Sequence, residues 1–89
     1  MSVAATLEEI RMLRHMVGAD QLPRNRGFRN YYACSVIADS YPTLLSMEKR
    51  GLVRHTTESS RGMHYFKATS LGCEFAGIDK AAERRALAA

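Results

Sequence analysis

A chain of 89 residues with 46% hydrophobic and 25% charged side chains has material for one core and no room for a second, so a single domain over residues 1–89 is expected. Thirteen Lys and Arg against nine Asp and Glu leave a formal charge of +4 and an isoelectric point near 9.4, which favours a polyanionic partner but is a modest surplus for a dedicated nucleic-acid binder. No apolar run is long enough to span a bilayer, no signal peptide is recognisable, and Cys34 and Cys73 lack metal-type spacing, so a reduced, cytoplasmic protein with two structural thiols is expected.

The first ordered element begins at Thr6-Leu7-Glu8-Glu9, a capping box in which Thr6 and Glu9 satisfy each other's free N–H groups. Leu7, Ile10, Leu13 and Val17 mark its buried stripe, Met12 and Met16 flank it, and Gly18 ends it. His15 reads as a solvated helix residue, because no second ligand stands three or four positions away.

From Ala19 to Asp39 the pattern is undecided. Arg24, Arg26 and Arg29 fall within six positions, interleaved with and followed by Phe28, Tyr31 and Tyr32. Arginines beside aromatics grip phosphate and stack on bases; alternatively the three rings are core anchors and the arginines solvate a loop. Residues 28–38 fit either a short helix, with Phe28, Tyr31, Cys34 and Ile37 roughly in phase, or a strand rich in aromatic and branched residues. A helix-turn-helix needs the helix.

Ser40 is the expected N-cap of a helix starting near Tyr41, with Pro42 in its first turn and Gly51 as its left-handed stop. Tyr41, Leu44, Leu45 and Leu52 share one side with Met47 at its edge, while Pro42, Thr43, Ser46, Lys49 and Arg50 share the other. Leu52 to Thr57 and Met63 to Thr69 read as two strands around the turn Glu58-Ser59-Ser60-Arg61-Gly62, a hairpin with a basic tip. Thr69 or Ser70 caps a further helix through Leu71, Phe75, Ile78 and Ala82.

The run Leu44-x-x-Met47-x-x-x-Gly51-Leu52-Val53, a turn, then Tyr65-Phe66-Lys67-Ala68-Thr69-x-x-Gly72 resembles the C-terminal half of MarR- and PadR-type winged-helix regulators. In that family the helix before the glycine reads the major groove of double-stranded DNA, and the hairpin touches the minor groove or backbone. The resemblance therefore implicates Thr43, Ser46, Lys49 and Arg50 on the helix, and Arg54, His55, Arg61 and His64 around the wing. A second likeness joins Leu13-Arg14-His15-Met16-x-Gly18, Gly27-Phe28-Arg29-Asn30-Tyr31-Tyr32 and the Leu44 motif; it is similar to small uncharacterised phage and prophage proteins.

Residues 79–89, rich in Ala, Glu and Arg, should extend the helix begun near Ser70. Ala81, Ala82, Ala86 and Leu87 form either an extra apolar strip or part of a fraying tail; terminal helices build the dimer in MarR-type proteins, which would make this strip a homodimer contact. The sequence supplies no nucleophile elbow, glycine-rich phosphate loop or paired carboxylates, so no enzyme and no cofactor are expected. His55 and His64 come close across the hairpin, but two ligands do not make a metal site. The expectation is an α+β winged-helix-like domain. It would bind double-stranded DNA through Thr43, Ser46, Lys49, Arg50, Arg54 and Arg61 and through the loop arginines Arg24, Arg26 and Arg29. The alternative is a protein-interaction module using the same surface.

Overall fold

The computed structural model describes residues 3–56 and 61–89. Helix α1, Leu7–Met16, starts on the expected capping box: Glu9 N–H donates to Thr6 Oγ1 at 3.1 Å and Thr6 N–H to Glu9 Oε1 at 2.8 Å. Its phase differs from the expected stripe. Leu7 is 65% exposed and Ile10 half-buried, while Glu9, Leu13, Met16 and Val17 turn inward. The helix is rotated because Glu9 has a partner on the second helix, so a carboxylate takes the place expected of Leu7.

After a 3₁₀ turn at Pro23–Asn25, the undecided segment becomes strand β1, Tyr32–Ser35, followed by a turn and not by a helix. Tertiary pairing decides what periodicity leaves open. Asn30, just ahead of β1, is 4% exposed; its Nδ2 donates to the Ala68 and Ala86 carbonyls at 3.1 Å each, and its Oδ1 accepts from the Ala68 N–H at 2.8 Å. One amide side chain thus lines β1 up on β3 and ties both to the last helix.

Helix α2, Ser40–Lys49, starts one residue earlier than expected, with Asp39 and not Ser40 at the cap position and no side-chain capping bond there. Gly51, at φ 78°, ends this region as expected. Strand β2, Val53–His55, is shorter than expected; β3 is Met63–Ala68. Residues 57–60, the last position of the expected first strand and the first three of the expected turn, lie outside the described residues. The sheet order is β1-β3-β2, antiparallel throughout, with Tyr32 and His55 both opposite Phe66. Phe66 is fully buried between them and, with Leu13, Met16, Leu44, Met47 and Leu52, forms the centre of the core; Leu71 and Phe75 pack half-buried on it.

The expected continuous C-terminal helix is instead two. Helix α3, Ser70–Ala76, is capped by Thr69 and stops where Gly77 adopts φ 76°; α4, Lys80–Ala88, restarts from Asp79, whose carboxylate accepts the Ala82 N–H at 2.8 Å. Arg14 Nη1 donates to the Ala76 carbonyl at 2.6 Å, satisfying the end of α3. Ala82 and Ala86 are fully buried, so α4 is no solvated tail, whereas Ala81 and Leu87 face outward. The apolar strip expected on one face is split between core and solvent. Among the described residues the result is a small mixed α+β domain of four α-helices and a three-stranded sheet; none of these helices is long and apolar enough to cross a membrane.

Candidate nucleic-acid interface

On α2 the helical period turns Leu44 and Met47 into the core and leaves Pro42, Ser46, Glu48 and Lys49 exposed, with Thr43 half-buried. Ser46 and Lys49 therefore lie where the sequence places them. Arg50 does not lie free in solvent as expected. Both ends of its guanidinium grip the two Glu9 carboxylate oxygens, and Nη1 also donates to the Ala4 carbonyl at 2.9 Å. Nε and Nη2 reach back to the Ser46 carbonyl and hydroxyl at 3.3 and 3.2 Å. The fork geometry matches a carboxylate, and a buried Glu9 has to be paired. Arg50 is thus a cross-link between α1 and α2. Its hydrogen bonds, outweighing the cost of burial and joined by those from Thr6, hold the Glu9 carboxyl down at about 2; the same contact raises the Arg50 pKa.

On the hairpin, Arg54 is exposed on β2 opposite Lys67 of β3, and Lys67 Nζ donates to the Ala89 carbonyl at 2.6 Å. Arg61 is exposed at φ 55°, immediately before Gly62 at φ 79°. His55 Nε2 and His64 Nδ1 stand 2.9 Å apart in a mutual hydrogen bond; the His64 ring lies 5.2 Å from Tyr41 and the His55 ring 4.9 Å from Phe66. Each imidazole nitrogen in that bond is occupied by the other. Among the described residues no group of three or more His, Cys, Asp or Glu side chains is placed to hold a metal ion.

In the basic loop Arg24 is exposed, Arg26 Nε donates to the Gln21 carbonyl at 3.0 Å, and the Arg29 guanidinium lies 4.7 Å over the Tyr31 ring. Phe28 is 69% exposed and Tyr31 46%. The reading of these two rings as core anchors is therefore corrected, and it holds in part only for Tyr32, half-buried with His15 edge-on at 6.0 Å. Phe28 instead carries the Arg85 guanidinium at 4.9 Å, and Arg85 Nε donates to the Arg26 carbonyl at 2.9 Å. Exposed rings with arginines on their faces form a surface that offers stacking and positive charge together.

Sequence reasoning missed the cross-links behind this surface. The capping box displays Glu9, but its bond to Arg50 spans 41 positions; nothing local marks Asn30 or Arg85 as an anchor. Both cysteines are free and buried. Burial pushes the Cys34 thiol up and carries that of Cys73 to about 11, with Glu83 adding to the latter, so neither is poised as a nucleophile. Comparison of the chain with protein-family models, curated proteins and solved structures finds no match in any of the three.

Proposed function

We propose that this chain is a small winged-helix-like protein that binds double-stranded DNA, in a regulatory and phage-type setting. The outward side of α2 approaches a groove, and Lys49, Arg54, Arg61 and the loop arginines Arg24, Arg26 and Arg29 contact phosphate. The supporting observation is the character of α2's open side: Pro42, Ser46 and Lys49 are exposed there, whereas every large exposed hydrophobic among the described residues, Ile37 and Phe28 foremost, lies outside α2. A helix that anchors in a protein pocket carries an aromatic or large aliphatic residue on that side. Small residues admit close approach, and basic ones at the end reach the backbone. Arg50 leaves the contact set, since its guanidinium is committed to Glu9.

One observation favours a second reading, a protein-interaction module. A strand, β1, and a turn precede α2, where a helix-turn-helix has its first helix. Titration against unrelated duplex DNA at about 50 and 200 mM salt separates the two. Duplex binding should weaken steeply with salt, and Lys49→Glu with Arg54→Glu should lower it further while leaving the thermal midpoint nearly unchanged. Absence of duplex binding at the lower salt would reject the DNA reading. The double substitution avoids Arg50, whose loss would report on folding.

A further inference from the structure

Strand β1 lies at the sheet edge, and the hydrogen-bond alternation fixes which of its backbone groups point away from β3. Thr56 N–H donates to the Tyr65 carbonyl at 2.9 Å, so Tyr65 turns its backbone to β2; its neighbours His64 and Phe66 then turn theirs to β1, opposite Cys34 and Tyr32. Ala33 and Ser35 accordingly direct their N–H and C=O groups to the open side. Tyr31, in the same phase, donates its N–H to the Met16 carbonyl at 3.3 Å, and the Ser35 carbonyl accepts from Ala38 N–H at 3.1 Å. What remains unpaired among the described residues on this side is the Tyr31 C=O, the Ala33 N–H and C=O and the Ser35 N–H.

This edge borders a groove of about 560 Å³ whose other wall is α1. Arg11 and His15 line it from α1, and Arg29, Tyr31 and Ala33 from the β1 side, with Glu8 as its one acidic residue. Arg29 brings an Nε that is buried and has no hydrogen-bond partner among the described residues. The edge itself, Tyr32–Ser35, carries none of the Lys or Pro residues with which proteins blunt such edges. The free backbone groups of Ala33, two arginines and a histidine line one groove, and the Ser35 N–H lies two residues further along the same edge.

We infer that this groove receives an extended acidic segment of a partner protein, which adds a strand to β1 through Ala33 and Ser35 and sets carboxylates against Arg11 and Arg29. Main-chain pairing supplies affinity without sequence, and the arginines select acidic side chains at alternate positions. A second copy of this basic chain does not supply that charge. The site shares only Arg29 with the duplex-binding set, so it stands or falls separately.

The test is a fluorescence-anisotropy titration of the full chain with a labelled peptide alternating glutamate and threonine, followed by amide NMR. Saturable binding is expected, with the largest shifts at the Ala33 and Ser35 amides. Arg11→Glu, an exposed site, and Arg29→Gln, which keeps hydrogen-bonding capacity, should each weaken it about tenfold. Methylating alternate backbone nitrogens of the peptide should weaken it as much, which charge attraction alone would not do. Lys49→Glu with Arg54→Glu, outside the groove, should leave it within about twofold and so separates this site from the duplex reading. No saturable binding, equal binding of the lysine counterpart, or indifference to N-methylation would each overturn the proposal. So would a single-stranded oligonucleotide that displaces the peptide from the same amides at lower concentration, which would give the groove to nucleic acid.

Discussion

Arg50 and Glu9 show how far a residue's role depends on what stands opposite it. Read along the chain, Arg50 is a basic residue at the end of a helix, suited to the helix dipole and to phosphate; in the fold it neutralises a carboxylate that is 6% exposed. The consequence is an acid-sensitive fold. Glu9 is held at about 2 against an ordinary 4.5, so the folded state binds its proton less readily than the unfolded chain. The stabilisation is complete above about 4.5 and is lost as pH falls towards 2, amounting to about 3 kcal/mol at most. Urea melts between pH 7 and pH 2 should show this loss, and Glu9→Gln should remove that part of the pH dependence; an unchanged profile in the variant would assign acid sensitivity elsewhere. Local chemistry made the capping half of Glu9's role legible in Thr6-x-x-Glu9. The other half was not, because its partner is set by how two helices pack.

At the scale of elements, signals carried within one turn were readable and those carried by distant contacts were not. The α1 start, the Gly51 stop, the two hairpin strands and the Thr69 cap all follow from residues within four positions of each boundary. Segment 28–38 carries no decisive period, and pairing with β3 together with Asn30 makes its middle, Tyr32–Ser35, a strand. The break between α3 and α4 was in principle visible as Gly77 followed by Asp79, a left-handed stop and a fresh cap, but the alanine-rich tail suggested continuity. Of the candidate site, the exposure of Ser46, Lys49 and Arg61 was legible from helix period and turn composition. The place of Phe28 outside the core was not, since nothing local marks Arg85 as the side chain that lies over its ring. Packing of the loop on α4 yields a prediction. Gly27 has φ 82°, and a Cβ there would run into the Ala82 carbonyl. Gly27→Ala combines backbone strain with a clash against rigid main chain, so it should cost more than about 2 kcal/mol in denaturant melts. A loss under about 0.5 kcal/mol would mean that the loop and α4 separate easily.

Across the whole molecule, α4 closes the fold. It supplies buried Ala82 and Ala86, accepts Asn30's bond at the Ala86 carbonyl, and carries the Arg85 side chain that holds the loop at Arg26 and Phe28. Removing residues 80–89 should therefore abolish cooperative thermal unfolding and not merely shorten a tail; a truncated chain melting within about 5 °C of the intact one would show α4 to be an appendage. The basic loop would lose its order with it. Residues 27–30 are made well before their hydrogen-bonding and packing partners at 82–86, Asn30 preceding Ala86 by 56 positions. On the ribosome α1 and the hairpin can begin to associate while the Arg24–Tyr31 loop still waits for α4. A nascent chain of this protein thus acquires its arginine-and-aromatic surface only once α4 has emerged, which keeps that surface unformed beside the ribosome's own RNA until then.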